Sequence, residues 1–73
     1  MVDVKALMAR MVLAGYNQTT LTEACKQKGY NIGKNYINSL MNGRSPWTID
    51  DADMFIDVLE IHNDNDKIKI FLP

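Results

Sequence analysis

The stretch TLTEACKQKGYNIGKNYINSLMNG, residues 20–43, decides how this chain folds. Thr20 followed three residues later by Glu23 spells a capping box, in which each side chain satisfies an N–H that the helix start leaves orphaned. A helix is therefore predicted from Leu21 to Lys28, burying Leu21, Ala24 and Cys25. Gly29, free to adopt a positive φ, ends it. A second helix is predicted from Gly33 to Asn42. Ile32, Tyr36, Ile37, Leu40 and Met41 form its apolar stripe, and Gly43 stops it. A short glycine-containing turn joins the two.

Outward from this pair the pattern stays helical. Val4, Leu7, Met8, Met11 and Val12 recur at i, i+3, i+4, i+7 and i+8, which predicts a helix from Asp3 to Ala14 with Gly15 as its stop. Thr48 caps a helix predicted over Ile49–Glu60. Asp50 and Asp51 in its first turn suit the helix dipole, and Ile49, Ala52, Phe55, Ile56 and Leu59 face inward. Beyond Asn63-Asp64-Asn65-Asp66, which reads as a turn or cap, the spacing of Ile68, Ile70, Phe71 and Leu72 fits strand and helix alike. One helical turn followed by extended chain is expected. The fold class is all-α. Residues 1–73 are expected to form one domain, a compact four- or five-helix bundle containing a helix-turn-helix, with a short irregular or extended C-terminal tail.

Composition narrows the function. A chain of 73 residues buries only ~60–65% of its unfolded surface, so its apolar stripes must share one core. No apolar run reaches the ~18 residues that cross a bilayer, and no secretory leader is spelled at the start. One cysteine precludes an internal disulfide framework. These features predict a cytoplasmic protein that touches no membrane. One histidine and one cysteine, on a chain too small for a roomy cleft, argue against an enzyme. No cofactor is expected.

The formal net charge of −1 hides an asymmetry. Residues 1–47 carry six bases against two acids, +4, whereas residues 48–73 carry two bases against seven acids, −5. No acid falls between Glu23 and Asp50. Within that window the outer face of the second predicted helix offers Lys34, Asn35, Asn38 and Ser39, with Arg44 just beyond. Asparagine can bond adenine bidentately, lysine and arginine can bond guanine, and serine can bond base or phosphate. Gln18 and Thr20 lie where a helix N-terminus would meet phosphate, although capping alone accounts for Thr20, and Asn31 lies in the turn.

The other polar clusters read more plainly. Asp50, Asp53 and Asp57 line one face of the fourth helix as a solvated strip, or as a docking strip for a basic protein. Trp47 covers one end of the bundle or meets a partner. Phe71 and Leu72, with Ile68 and Ile70, close the core or form a homodimer surface. His62, Asp64 and Asp66 lack the glycine and distal glutamate of a calcium loop, so no metal site is expected. Cys25 reads as a small core residue.

The runs LTEACKQKG (21–29), IGKNYINSLMNG (32–43) and WTIDDADMFIDVLEI (47–61) together resemble the Cro and phage-repressor helix-turn-helix family, with its lambda-repressor-like fold. Ile37 to Gly43 is similar to the ending of that family's recognition helix, and Ile49 to Ile61 to the helix that follows. The apolar ending Ile70-Phe71-Leu72-Pro73 resembles those of small regulators from temperate phages of Gram-positive bacteria. The resemblance implies a transcriptional regulator whose third helix enters the major groove of double-stranded operator DNA. Lys34, Asn35 and Asn38 would contact bases or phosphates, and Arg44 a phosphate. Aligning Gly29 with the family's turn glycine leaves the turn, at Tyr30-Asn31, about two residues longer than the family's and puts Leu21, not Gln18, at the family's glutamine position. A second function suits the weak net charge and the acidic strip: a modulator of this fold that binds a phage repressor protein instead of DNA.

Overall fold

The first helix begins where Asp3 turns its carboxylate back to accept the Ala6 N–H at 3.1 Å. The computed structural model describes residues 2–73. In chain order the helices are α1 (Val4–Leu13), α2 (Gln18–Gln27), α3 (Lys34–Met41), α4 (Ile49–Leu59) and α5 (Asp64–Phe71), with no strand among the described residues. The Cα radius of gyration is 11.1 Å, against ~11 Å for one compact domain of this length.

The core draws on all five helices. Leu7, Leu21, Cys25, Ile37, Leu40, Phe55 and Ile61 are wholly enclosed, and Met11, Met41, Met54, Val58, Leu59, Ile70 and Phe71 complete the cluster. α2 packs on both α3 and α4, while α1 packs on α5. The Asp3 N–H donates to the Ile70 carbonyl at 2.7 Å, holding the start of the chain against the end of α5. Trp47 caps one end of the bundle, edge-on to Phe55 at 5.1 Å and to Phe71 at 6.1 Å between ring centroids.

Four expectations are corrected. First, α2 starts three residues earlier than Thr20 and Glu23 imply. Asn17 is its cap, with its Oδ1 accepting the Thr20 N–H at 2.9 Å while the Thr20 hydroxyl accepts the Asn17 N–H at 2.9 Å. Two overlapping cap spellings compete here. The upstream one wins, adding a turn whose Thr22 hydroxyl donates to the Gln18 carbonyl at 2.7 Å.

Second, the inward face of α4 is rotated. Its buried side chains are Asp51, Met54, Phe55, Val58 and Leu59. Ile49, two residues before Asp51, therefore points outward and is 81% exposed. Third, α1 meets the bundle along the narrow edge of Leu7 and Met11, so Met8 and Val12 stay in solvent.

Fourth, the expected irregular or extended tail is a helix of two turns. Asn63 caps it, accepting the Asn65 N–H at 2.8 Å. Ile70 and Phe71 are buried while Ile68 and Leu72 are exposed. The helix ends just before Pro73, as the steric clash of proline with a preceding helical residue requires.

The two candidate caps of α2 separate experimentally. Asn17→Ala should cost about 1 kcal/mol and lower the midpoint of thermal unfolding by about 4–8 °C. Glu23→Ala should stay within about 0.5 kcal/mol of the parent. Circular dichroism melts of both variants decide between them.

Candidate nucleic-acid interface

α3 owes its orientation to two kinds of contact. Ile37, Leu40 and Met41 anchor one side in the core. On a second side the Tyr36 hydroxyl donates to the Asp51 carboxylate, at 3.0 Å to Oδ1 and 2.9 Å to Oδ2. The same carboxylate accepts the Thr48 N–H at 3.0 Å, and the Thr48 hydroxyl accepts the Asp51 N–H at 3.1 Å. The capping box of α4 thus doubles as the seat of α3. The hydrogen bond to Asp51, then burial, raises the Tyr36 phenol above its ordinary value.

The remaining side of α3 is free. Lys34 and Asn35 are exposed, while Asn38 and Ser39 are half-buried. The Asn38 Oδ1 accepts the Asn42 side-chain amide at 3.0 Å. Past Gly43, which turns the chain with φ +71°, the Arg44 N–H donates to the Ser39 carbonyl at 2.9 Å. That bond folds the exposed Arg44 back onto the end of α3. Lys34, Asn35, Asn38, Ser39 and Arg44 therefore belong to one structural unit.

At the head of α2, Thr20 is committed to the cap and Gln18 is half-buried. The N–H groups of Gln18 and Thr19 head the helix without helical acceptors, as any first turn leaves them. Asn31 is exposed in the connection from α2 to α3. That connection, Lys28 to Gly33, is six residues long, longer than the three- or four-residue turn of a helix-turn-helix.

A polar cluster unforeseen from the sequence fixes the connection. Tyr30 donates to Asp57 Oδ2 at 2.7 Å, and the Lys28 ammonium lies 3.1 Å from Asp57 Oδ1. Asp57 is thus paired, whereas Asp50 and Asp53, exposed on α4 like Asp57 itself, have no partner among the described residues. The bonds from Tyr30 and Lys28 hold the Asp57 carboxyl below the ordinary 3.8. The same bond raises the Tyr30 phenol. Burial, and then the charge of Asp57, push the Cys25 thiol up, which leaves it protonated and unreactive at neutral pH.

Of the apolar candidates, Phe71 is buried, Trp47 is half-buried and Leu72 is exposed. Asp66 faces Arg10 at 3.6 Å, and Asp64 faces Lys67 at 3.8 Å. No helix among the described residues is long and apolar enough to cross a membrane. No family model matches the chain, and neither a curated protein nor a solved structure matches it.

Because the folded state lowers the pKa of Asp57, the bonds it accepts stabilise the protein fully above the ordinary aspartate value. They are lost as the pH falls through and below that value. Urea midpoints measured from about pH 5 to about pH 2 should fall more steeply for the parent than for Asp57→Asn. Tyr30→Phe should return the Asp57 carboxyl towards 3.8 in an NMR titration.

Proposed function

We propose that this protein is a sequence-specific DNA-binding transcriptional regulator that lays α3 in the major groove of operator DNA. One observation carries the reading. The free side of an otherwise anchored helix presents Lys34, Asn35, Asn38 and Ser39, with Arg44 folded onto its end, and no carboxylate occurs in the chain between Glu23 and Asp50. Two asparagines, Asn35 and Asn38, are costly in a helix of eight residues, because their side chains compete for backbone hydrogen bonds. Bidentate pairing with adenine gives them a use.

The roles divide by chemistry. Asn35 and Asn38 read base edges from the middle of α3. Lys34 and Arg44, at its two ends, hold the flanking phosphates or a guanine. The N–H groups of Gln18 and Thr19 at the head of α2, where the helix dipole is positive, seat another phosphate. Asn31 in the connection reaches the backbone between these two points. Bound to promoter DNA in this way, the protein controls transcription by occupancy.

Fluorescence anisotropy with a labelled operator duplex over a range of salt tests the assignment. Lys34→Ala and Arg44→Ala should each weaken binding to all sequences and flatten the logarithmic salt dependence by about one unit. Asn35→Ala should instead relax the preference at one base pair, by about 1–3 kcal/mol. If the lysine and arginine variants bind as the parent does, α3 is not the reading head.

A further inference from the structure

A groove of about 750 Å³ runs beside α4, and Trp47, Ile49, Ala52, Ile56, Phe71 and Leu72 are among the residues that line it. It is open and predominantly apolar. Ile49 is 81% exposed and Leu72 73% exposed, so two large aliphatic side chains stand at its lips with nothing against them. Neither contributes to the core described above.

The charges around the groove are unevenly placed. Ile49, Ala52 and Ile56 share one edge of α4, and helix geometry sets Asp53 one turn beyond Ile49, with Asp50 a step further round. Glu60 caps the end of the helix in a left-handed conformation, φ +53°. α4 and its cap carry five acids, of which two are used inside the fold. Asp51 holds Tyr36 and Thr48, and Asp57 holds Tyr30 and Lys28. Asp50, Asp53 and Glu60 are exposed and have no ion-pair partner among the described residues. The cations lie elsewhere on the rim. Lys67 lines the groove 3.8 Å from Asp64, and Arg44 stands between the lining residues Gly43 and Ser45.

We propose that this groove docks a basic amphipathic helix of a protein partner. Apolar residues of the partner spaced i, i+3 or i+4, and i+7 fill the space between Trp47, Ile49 and Leu72. Lysines or arginines along one flank of that helix meet Asp50, Asp53 and Glu60. The rim sets the orientation: a basic flank is attracted to the α4 side and repelled from Lys67 and Arg44. The surface meets the proposed DNA-reading side of α3 only at Arg44, which stands on its rim, and the inference does not rest on the DNA reading.

The test uses the full chain, isotope-labelled for NMR, and two synthetic amphipathic helical peptides of about three turns. Both carry the same leucine face, one with a lysine flank and the other with glutamates in its place. The lysine peptide should shift the amides of Trp47, Ile49–Ile56 and Leu72, and bind at least ~10-fold more tightly than its glutamate twin. Asp50→Lys/Asp53→Lys, a change confined to exposed side chains, should keep the parent's circular dichroism spectrum and reverse that preference. Equal binding of the two peptides, shifts confined to other surfaces, or no binding of either would overturn the proposal. So would shifts at the groove that grow with protein concentration alone and accompany a doubled mass, since these would give the groove to a second copy.

Discussion

A single carboxylate, Asp51, ties α3 to the start of α4. It is 8% exposed, and every bond it makes fixes a direction. One oxygen closes the capping box with Thr48 and so sets where α4 begins. Both oxygens receive the Tyr36 hydroxyl and so set how α3 lies against α4. A carboxylate enclosed to this degree is tolerable only with its lone pairs met, and no buried side-chain polar atom among the described residues lacks a partner. α3 has particular need of such a tie. It spans eight residues, and Gly33 gives it no side-chain cap, whereas isolated helices shorter than ~12–15 residues are marginal in water. Its order is borrowed from three core side chains and from Tyr36. That leaves its opposite side available for other work.

A second polar junction mirrors the first at the other end of α4. Asp57 draws Lys28 and Tyr30 onto the helix and pins the long connection between α2 and α3. The junction also alters the electrostatics. Lys28, a base in the window without acids, pairs with Asp57 at the surface, and each offsets the other's charge. Among the described residues, Lys34 and Arg44 remain unpaired around α3, and Asp50, Asp53 and Glu60 along α4. A chain of net charge −1 therefore has two surfaces of opposite character, each suited to a partner of the opposite sign.

Much of this was legible in the sequence because it is local and periodic. Leu7, Met11, Leu21, Cys25, Ile37, Leu40, Met41, Phe55 and Leu59 fall where helical spacing places a core, and Asp3 and Thr48 cap where their position foretells. What escaped depends on contacts distant in sequence or on competing local signals. Tyr36 with Asp51, and Tyr30 with Asp57, are pairs 15 and 27 residues apart, and no spacing rule announces them. Asp51 reads from the sequence only as a first-turn acid, and its burial goes with the outward turn of Ile49. Asn17 was masked by the overlapping spelling at Thr20. In α5 the spacing of Ile68, Ile70, Phe71 and Leu72 fits strand and helix alike, and the Asn63 cap makes it a helix. Of the candidate site, the residues of α3 and Arg44 were legible as a polar, acid-free surface. The anchoring that holds them was not.

The central claim is that the free side of α3 reads DNA. Its most direct test is an amide-resolved NMR titration of the labelled protein with a short mixed-sequence duplex at low salt. Shifts clustered over residues 31–44 and 18–21, fading as salt is raised, are the result expected of phosphate-anchored binding through this surface. Silence across α3 at low salt, or shifts confined to α4 and α5, would contradict it.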